Sequence, residues 1–149
     1  MNIRSFLIIF AMSSLLHSEE NFGIVVHGGA GVMSGLSEER QQQIHKKIQE
    51  TVSEAYEILE NDGSSFDAVE LAVSMLEDSP LFNAGRGSVY NSDEVQEMDA
   101  SIMDGKNRLS GAVASVSTVK NPIKLARKVA EETKHVLLVG EGAESFARD

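Results

Sequence analysis

The stretch Val95–Val119, VQEMDASIMDGKNRLSGAVASVSTV, decides the fold class. Met98, Ala100 and Ile102 alternate with Asp99 and Ser101, the period-two pattern of a strand with one face buried. Asp104-Gly105-Lys106-Asn107 then gathers turn-forming residues, and a second apolar run begins at Leu109. Strands are expected over Val95–Met103 and Leu109–Val119, with a shorter one over Ser88–Tyr90 separated from them by the turn Asn91-Ser92-Asp93. Grouped strands joined by short turns indicate α+β layering and not a repeating βαβ unit.

Helices are expected on both sides of this block. Upstream, Ile24-Val25-Val26 reads as a strand entering the glycine turn His27-Gly28-Gly29-Ala30-Gly31. Ser37 is a helix cap, with Glu38 and Glu39 placed where they favour the positive end of the helix dipole. Ile44, Ile48, Val52, Ala55 and Leu59 then recur at helical spacing until Asn61-Asp62-Gly63. Ser64 and Asp67 suit a capping box for a second helix, with Val69, Ala72, Val73 and Leu76 as its buried stripe. Downstream, Asn121-Pro122 is an N-cap followed by proline at the first helical position. Val136–Val139 reads as a buried strand, and Glu141–Asp149 as a helix.

Composition excludes several classes of function. The 149 residues carry 13 Lys and Arg against 23 Asp and Glu, a net charge of −10. That balance opposes binding to nucleic-acid phosphates and to anionic membrane surfaces, so neither nucleic acid nor membrane is expected as a partner. The absence of cysteine removes disulfides, thiolate metal sites and a thiol nucleophile. Aromatic residues make up 5% with no tryptophan, too few for a base-stacking platform. At the N-terminus, Arg4, the apolar run Phe6–Leu16 and polar His17–Glu20 have the layout of a secretory signal peptide over residues 1–18. An apolar N-terminal extension or a misassigned start is the alternative, so the compartment is secretory in the first case and cytoplasmic otherwise.

Short motifs are weighed by their chemistry. Gly29-Ala30-Gly31 opens a dinucleotide-type pattern, but Ser34 stands where its third glycine belongs and no acidic partner follows at the required distance. Ser117 and Lys120 have the spacing of a serine–lysine pair, but on a strand end residues three apart face opposite sides. His17, His27, His45 and His135 show no metal-ligand spacing. Lys124, Arg127 and Lys128 read as a solvated helix face. Asn83 and Arg86 differ, because they lie in the glycine-flanked loop Asn83-Ala84-Gly85-Arg86-Gly87, the kind of place where functional groups are held.

Six blocks taken together resemble the plant-type L-asparaginase and isoaspartyl peptidase family: Ile24–Gly31 (IVVHGGAG), Leu76–Gly87 (LEDSPLFNAGRG), Glu97–Gly105 (EMDASIMDG), Gly111–Val113, Asn121–Arg127 (NPIKLAR) and Gly140–Ala143. The resemblance runs from about Gly23 to the last residue. It implies an N-terminal nucleophile hydrolase with an αββα sandwich, present here as an incomplete sandwich over residues 19–149. It also implies autoproteolysis of a precursor into α and β chains, with a threonine freed at the start of the β chain. Thr51, Thr118 and Thr133 follow Glu50, Ser117 and Glu132, so none stands in a Gly-Thr junction. The expectation is therefore a partial α chain that has no nucleophile and is inactive by itself.

The resemblance carries over particular positions. Backbone carbonyls of Leu76, Glu77, Ser79, Phe82, Ala84 and Arg86 match those that hold a structural sodium ion; no other cofactor is implied. Asn83 matches an asparagine beside the active site, and Gly28 and Gly29 match a glycine turn near the scissile junction. The implied partners are a β chain, an (αβ)2 heterotetramer, and a small amide or β-aspartyl dipeptide substrate. Two rival readings are a non-catalytic α-like fragment that pairs with or mimics a full-length partner, and an incomplete gene model.

Overall fold

The computed structural model describes residues 22–29, 31 and 35–148. The expected signal segment 1–18 and Ala30 of the glycine turn lie outside them. The elements are α1 (Glu38–Glu60), α2 (Ser65–Glu77), a short 3-10 turn (Gly85–Gly87), β1 (Met98–Asp104), β2 (Leu109–Val116), α3 (Pro122–Glu132), β3 (Leu137–Val139) and α4 (Gly140–Arg148). This is an α+β fold, as the alternation of Val95–Val119 requires.

The helix caps follow from the sequence. Ser37 Oγ accepts the Arg40 N–H at 3.2 Å and starts α1. The chain leaves α1 through Asp62 at φ 60°, and the Gly63 N–H closes onto the Ile58 carbonyl at 2.8 Å. Ser64 Oγ accepts the Asp67 N–H at 3.1 Å. The return half of the capping box differs, because the Asp67 carboxylate takes the Ser64 hydroxyl at 2.6 Å.

Strands β1 and β2 pair antiparallel from Asp104↔Leu109 back to Met98↔Val116, with a bulge between Met98 and Ala100. The bulge is stitched by Asp99 Oδ1, which accepts the Ser115 N–H at 2.9 Å. Strand β3 joins β2 in parallel, Ala112↔Leu137 to Ala114↔Val139, giving the order β1-β2-β3. The β2-α3-β3 segment is thus one parallel crossover, beside the hairpin that the strand grouping implies.

Helix α3 covers one face of this sheet. Ile102, Val113 and Val116 pack with Ile123, Leu125, Ala126 and Val129 to form the main core. Gly111 makes the approach possible, since a Cβ there would fall on the Ala126 carbonyl oxygen. A smaller cluster, Ala55, Ala68 and Ala72, joins α1 to α2 and is flanked by Ile24 and Val26.

Five expectations need correction. Ile24–Val26 forms no ladder with any described strand, although its side chains alternate: Ile24 and Val26 turn toward the helices, and Val25 is 96% exposed. An extended segment without a neighbouring edge cannot form a strand, whatever its propensity. Ser88–Tyr90 is likewise unpaired, and Val89 and Tyr90 are exposed. In α2, Phe66 and Ala68 join Ala72 and Leu76 in the interior, while Val69 is 41% exposed. The helix packs on α1 and on the sheet core together, which moves its buried arc toward Phe66 and Ala68. Strand β3 is not buried: Leu137 and Val139 are half exposed, on the face opposite α3. Arg127 is only partly solvated, because it is folded over the Phe66 ring at 4.7 Å and pairs with carboxylates on α2 and α3.

Candidate functional site

The glycine turn and the loop after α2, far apart in sequence, meet in the fold. A Cβ on Gly28 would lie 3.0 Å from Ile48 Cδ1 and 3.1 Å from Phe82 Cε1, so Gly28 is seated between α1 and the Phe82 ring. Only a residue without a side chain fits this contact without displacing them. The turn continues through Gly29 at φ +99°, whose N–H is accepted by His27 Nδ1 at 3.1 Å.

The loop after α2 is built from tight turns. The Ser79 N–H reaches the Leu76 carbonyl at 3.1 Å, the Gly87 N–H reaches Ala84 at 3.0 Å, and the Ser88 N–H reaches Gly85 at 3.1 Å. Phe82 is buried and anchors the loop, whereas Asn83 and Arg86 are exposed. Asn83 Oδ1 accepts the Val89 N–H at 3.0 Å and so fixes the exit of the loop. The Arg40 guanidinium donates to the Pro80 carbonyl at 3.3 Å, tying the loop to α1. Gly85 lies at φ +50° over the end of α2, where a Cβ would come within 2.5 Å of the Glu77 carbonyl oxygen and 2.6 Å of Glu77 Cβ.

The six carbonyls that the family resemblance assigns to a cation are those of Leu76, Glu77, Ser79, Phe82, Ala84 and Arg86. Those of Leu76 and Ala84 accept turn hydrogen bonds, while no backbone donor among the described residues reaches those of Glu77 and Phe82. A set of neutral carbonyl oxygens suits a hard monovalent cation and is a poor site for a transition metal. Among the described residues no cluster of three His, Asp or Glu side chains could hold a metal ion.

Charged side chains at the end of α2 secure the start of α3. Glu77 is 3% exposed, and its Oε1 accepts the Ile123 N–H at 2.9 Å. Burial pushes the Glu77 carboxyl above its ordinary pKa, against the opposing hydrogen bond from Ile123. Asn121, expected to cap α3 with its own side chain, does not do so. Its amide donates to Asp78 Oδ1 at 3.1 Å, and Glu77 serves as the cap across the fold. Hydrogen bonds from Lys120 and then Asn121 hold the Asp78 carboxyl below its usual range. Glu77 was noted in sequence only for its carbonyl, since no local pattern announces a cap contributed from 46 residues away.

Beside the glycine turn, Ile24–His27 and the stripe Val69, Ala72, Val73 and Leu76 line a half-open apolar groove of about 130 Å3. The stripe expected to be core thus borders this groove, with Ala72 and Leu76 buried and Val69 exposed.

A family model described as asparaginase matches residues 20–149, and the chain belongs to that family. It is 52% identical over 126 residues to an isoaspartyl peptidase/L-asparaginase of Rattus norvegicus, covering 85% of this chain and 37% of that protein. It is 55% identical over 125 residues to a plant-type L-asparaginase of Pyrococcus furiosus, covering 84% of this chain and 40% of that protein. The chain thus spans about two fifths of the length of the curated relatives it matches.

Proposed function

We propose that this chain supplies the α part of an amidohydrolase acting on L-asparagine and β-aspartyl dipeptides. The family match over residues 20–149, with its 52% and 55% identical relatives, carries the reading. The nucleophile is an N-terminal threonine of a β segment, freed by autoproteolysis. Its own α-amino group takes the hydroxyl proton as the oxygen attacks the amide carbonyl, and water later releases the acyl group. This chain's part is to shape the ground around that threonine. Gly28 and Gly29 allow close backbone approach, and Asn83 holds the loop beside it by accepting the Val89 N–H. A sodium ion held by the carbonyls of Leu76, Glu77, Ser79, Phe82, Ala84 and Arg86 would draw their oxygens together and stiffen the loop.

The complete assembly is an αββα sandwich, in which the β segment covers the exposed face of the β1-β2-β3 sheet, and two such αβ units form the heterotetramer. The uncovered Leu137 and Val139 favour this arrangement. The test supplies, in trans to the full chain, the part of the Pyrococcus furiosus relative that this chain does not match, and follows ammonia release from L-asparagine. The expected result is turnover from the mixture only, reduced by Asn83→Ala. Turnover by the purified chain alone would overturn the assignment of the nucleophile to another segment. A mixture that neither associates nor turns over would overturn the α-part reading.

A further inference from the structure

Among the described residues, the buried side-chain polar atoms without a hydrogen-bond partner are Ser74 Oγ and Glu77 Oε2. They stand three positions apart on α2 and so share one face of the helix. Leaving a carboxylate oxygen buried and unsatisfied is costly, and such groups in a native fold call for an explanation. The explanation lies in what the rest of Glu77 holds.

Its Oε1 is the side-chain acceptor for the Ile123 N–H at the start of α3. Its carbonyl oxygen and Cβ form the floor under Gly85, which lies at φ +50° directly above them. One residue therefore touches both the helix that covers the sheet and the turn that carries Asn83. Asp78 reinforces the first contact through Asn121 and Lys120.

We propose that Glu77 is a positioning residue: it registers the Phe82–Gly87 loop against α3, so that Asn83 keeps a fixed place relative to the sheet. The catalytic consequence rests on the α-part reading above, but the mechanical link does not. Coupling through one residue is reciprocal, so loosening either end loosens the other.

Amide hydrogen exchange of the full chain, carrying Leu137→Lys and Val139→Lys to keep the open sheet face from associating and followed by NMR, reads both ends. The Ile123 amide reports the α3 cap, and the Val89 amide, held by Asn83 Oδ1, reports the loop. Glu77→Ala keeps the carbonyl and Cβ under Gly85 but removes the acceptor for Ile123. It is therefore expected to speed exchange at Ile123 directly and, through the freed end of α2, at Val89 as well, by about tenfold. Glu77→Gln keeps an acceptor for Ile123 and is expected to restore both. The Ser115 amide, held by Asp99 on the far side of the sheet, is expected to stay unchanged in all variants. Gly85→Ala, which pushes on Glu77 from the loop side, is expected to speed Ile123. Faster exchange at Ile123 with Val89 unchanged in Glu77→Ala, or equal acceleration at Ser115, would overturn the link. If Glu77→Ala does not fold, an unchanged Ile123 amide in Gly85→Ala overturns it as well. No turnover is needed, so failure here leaves the proposed function standing, and failure of that function leaves this readout intact.

Discussion

Glu144 shows how one carboxylate can close a turn in this fold. Its Oε1 accepts the Ser117 N–H at 2.6 Å, the Thr118 N–H at 2.9 Å and the Ser117 hydroxyl at 3.1 Å, tying α4 to the end of β2. These bonds, led by that from the Ser117 backbone, pull its carboxyl from 4.5 down to about 2. A carboxylate with a lowered folded pKa stabilises the fold above its unfolded value, and the effect is lost as pH falls through the folded value. Asp67, lowered chiefly by the Ser64 hydroxyl and by Arg127, acts in the same direction. Protection of the Ser117 and Thr118 amides, taken relative to the intrinsic exchange rate at each pH, is therefore expected to fall as pH drops from about 4.5 toward 2. Glu144→Gln is expected to abolish that acid transition at these two amides, and a transition that persists in the variant would assign it to another group.

Helices α2 and α3 are held together by more than apolar contact. Arg127 on α3 donates to Asp67 at 2.7 Å, Glu70 at 2.9 Å and Glu131 at 3.0 Å. Burial works against its charge, but the three carboxylates outweigh that effect and keep the guanidinium above its ordinary pKa. The side chain is 23% exposed, so solvent screens these pairs only in part. Arg127→Met keeps the stem over Phe66 and removes the charge-assisted bonds. It is expected to cost about 2 kcal/mol, the scale of hydrogen bonds to charged groups. A denaturant midpoint shifted with unchanged slope would report this loss. No shift would mean that Phe66 stacking alone joins the helices.

On the scale of the whole molecule, the sheet has one finished face and one open face. The register aligns Ser101, Ala112 and Leu137 in one row and Ala114 with Val139 in the next, all opposite α3. Among the described residues, Met103, Leu137 and Val139 are exposed there, and no strand pairs with the outer edge of β3. Exposed apolar faces and free edges promote association. Withholding even ~400 Å2 of burial removes about 10 kcal/mol at ~25 cal/mol per Å2, comparable with the stability of a whole domain. The chain without a covering segment is expected to self-associate in sedimentation and to bind a hydrophobic dye, with Leu137→Lys/Val139→Lys reducing both. A monomer with one sharp thermal transition and no dye binding would show the open face to be sufficient in itself.

Sequence alone determined what neighbours along the chain decide. Ser37 and Ser64 cap helices because a hydroxyl reaches an N–H three residues on, and Met98, Ala100 and Ile102 share a face because a strand has period two. The family was legible for the same reason, since its blocks are contiguous words. Tertiary structure alone decided everything that depends on a distant partner. Among the described residues, Ile24–Val26 has strand propensity but no adjacent edge, and Val136–Val139 has an apolar pattern but only one covered side. Arg127 became an interior clasp because α2 lies beneath it, and Glu77 displaced Asn121 as the cap of α3 because the end of α2 reaches that helix first. Local pattern encodes which surface of an element is apolar, but what covers that surface is set by contacts dozens of residues away, to which no short-range periodicity responds.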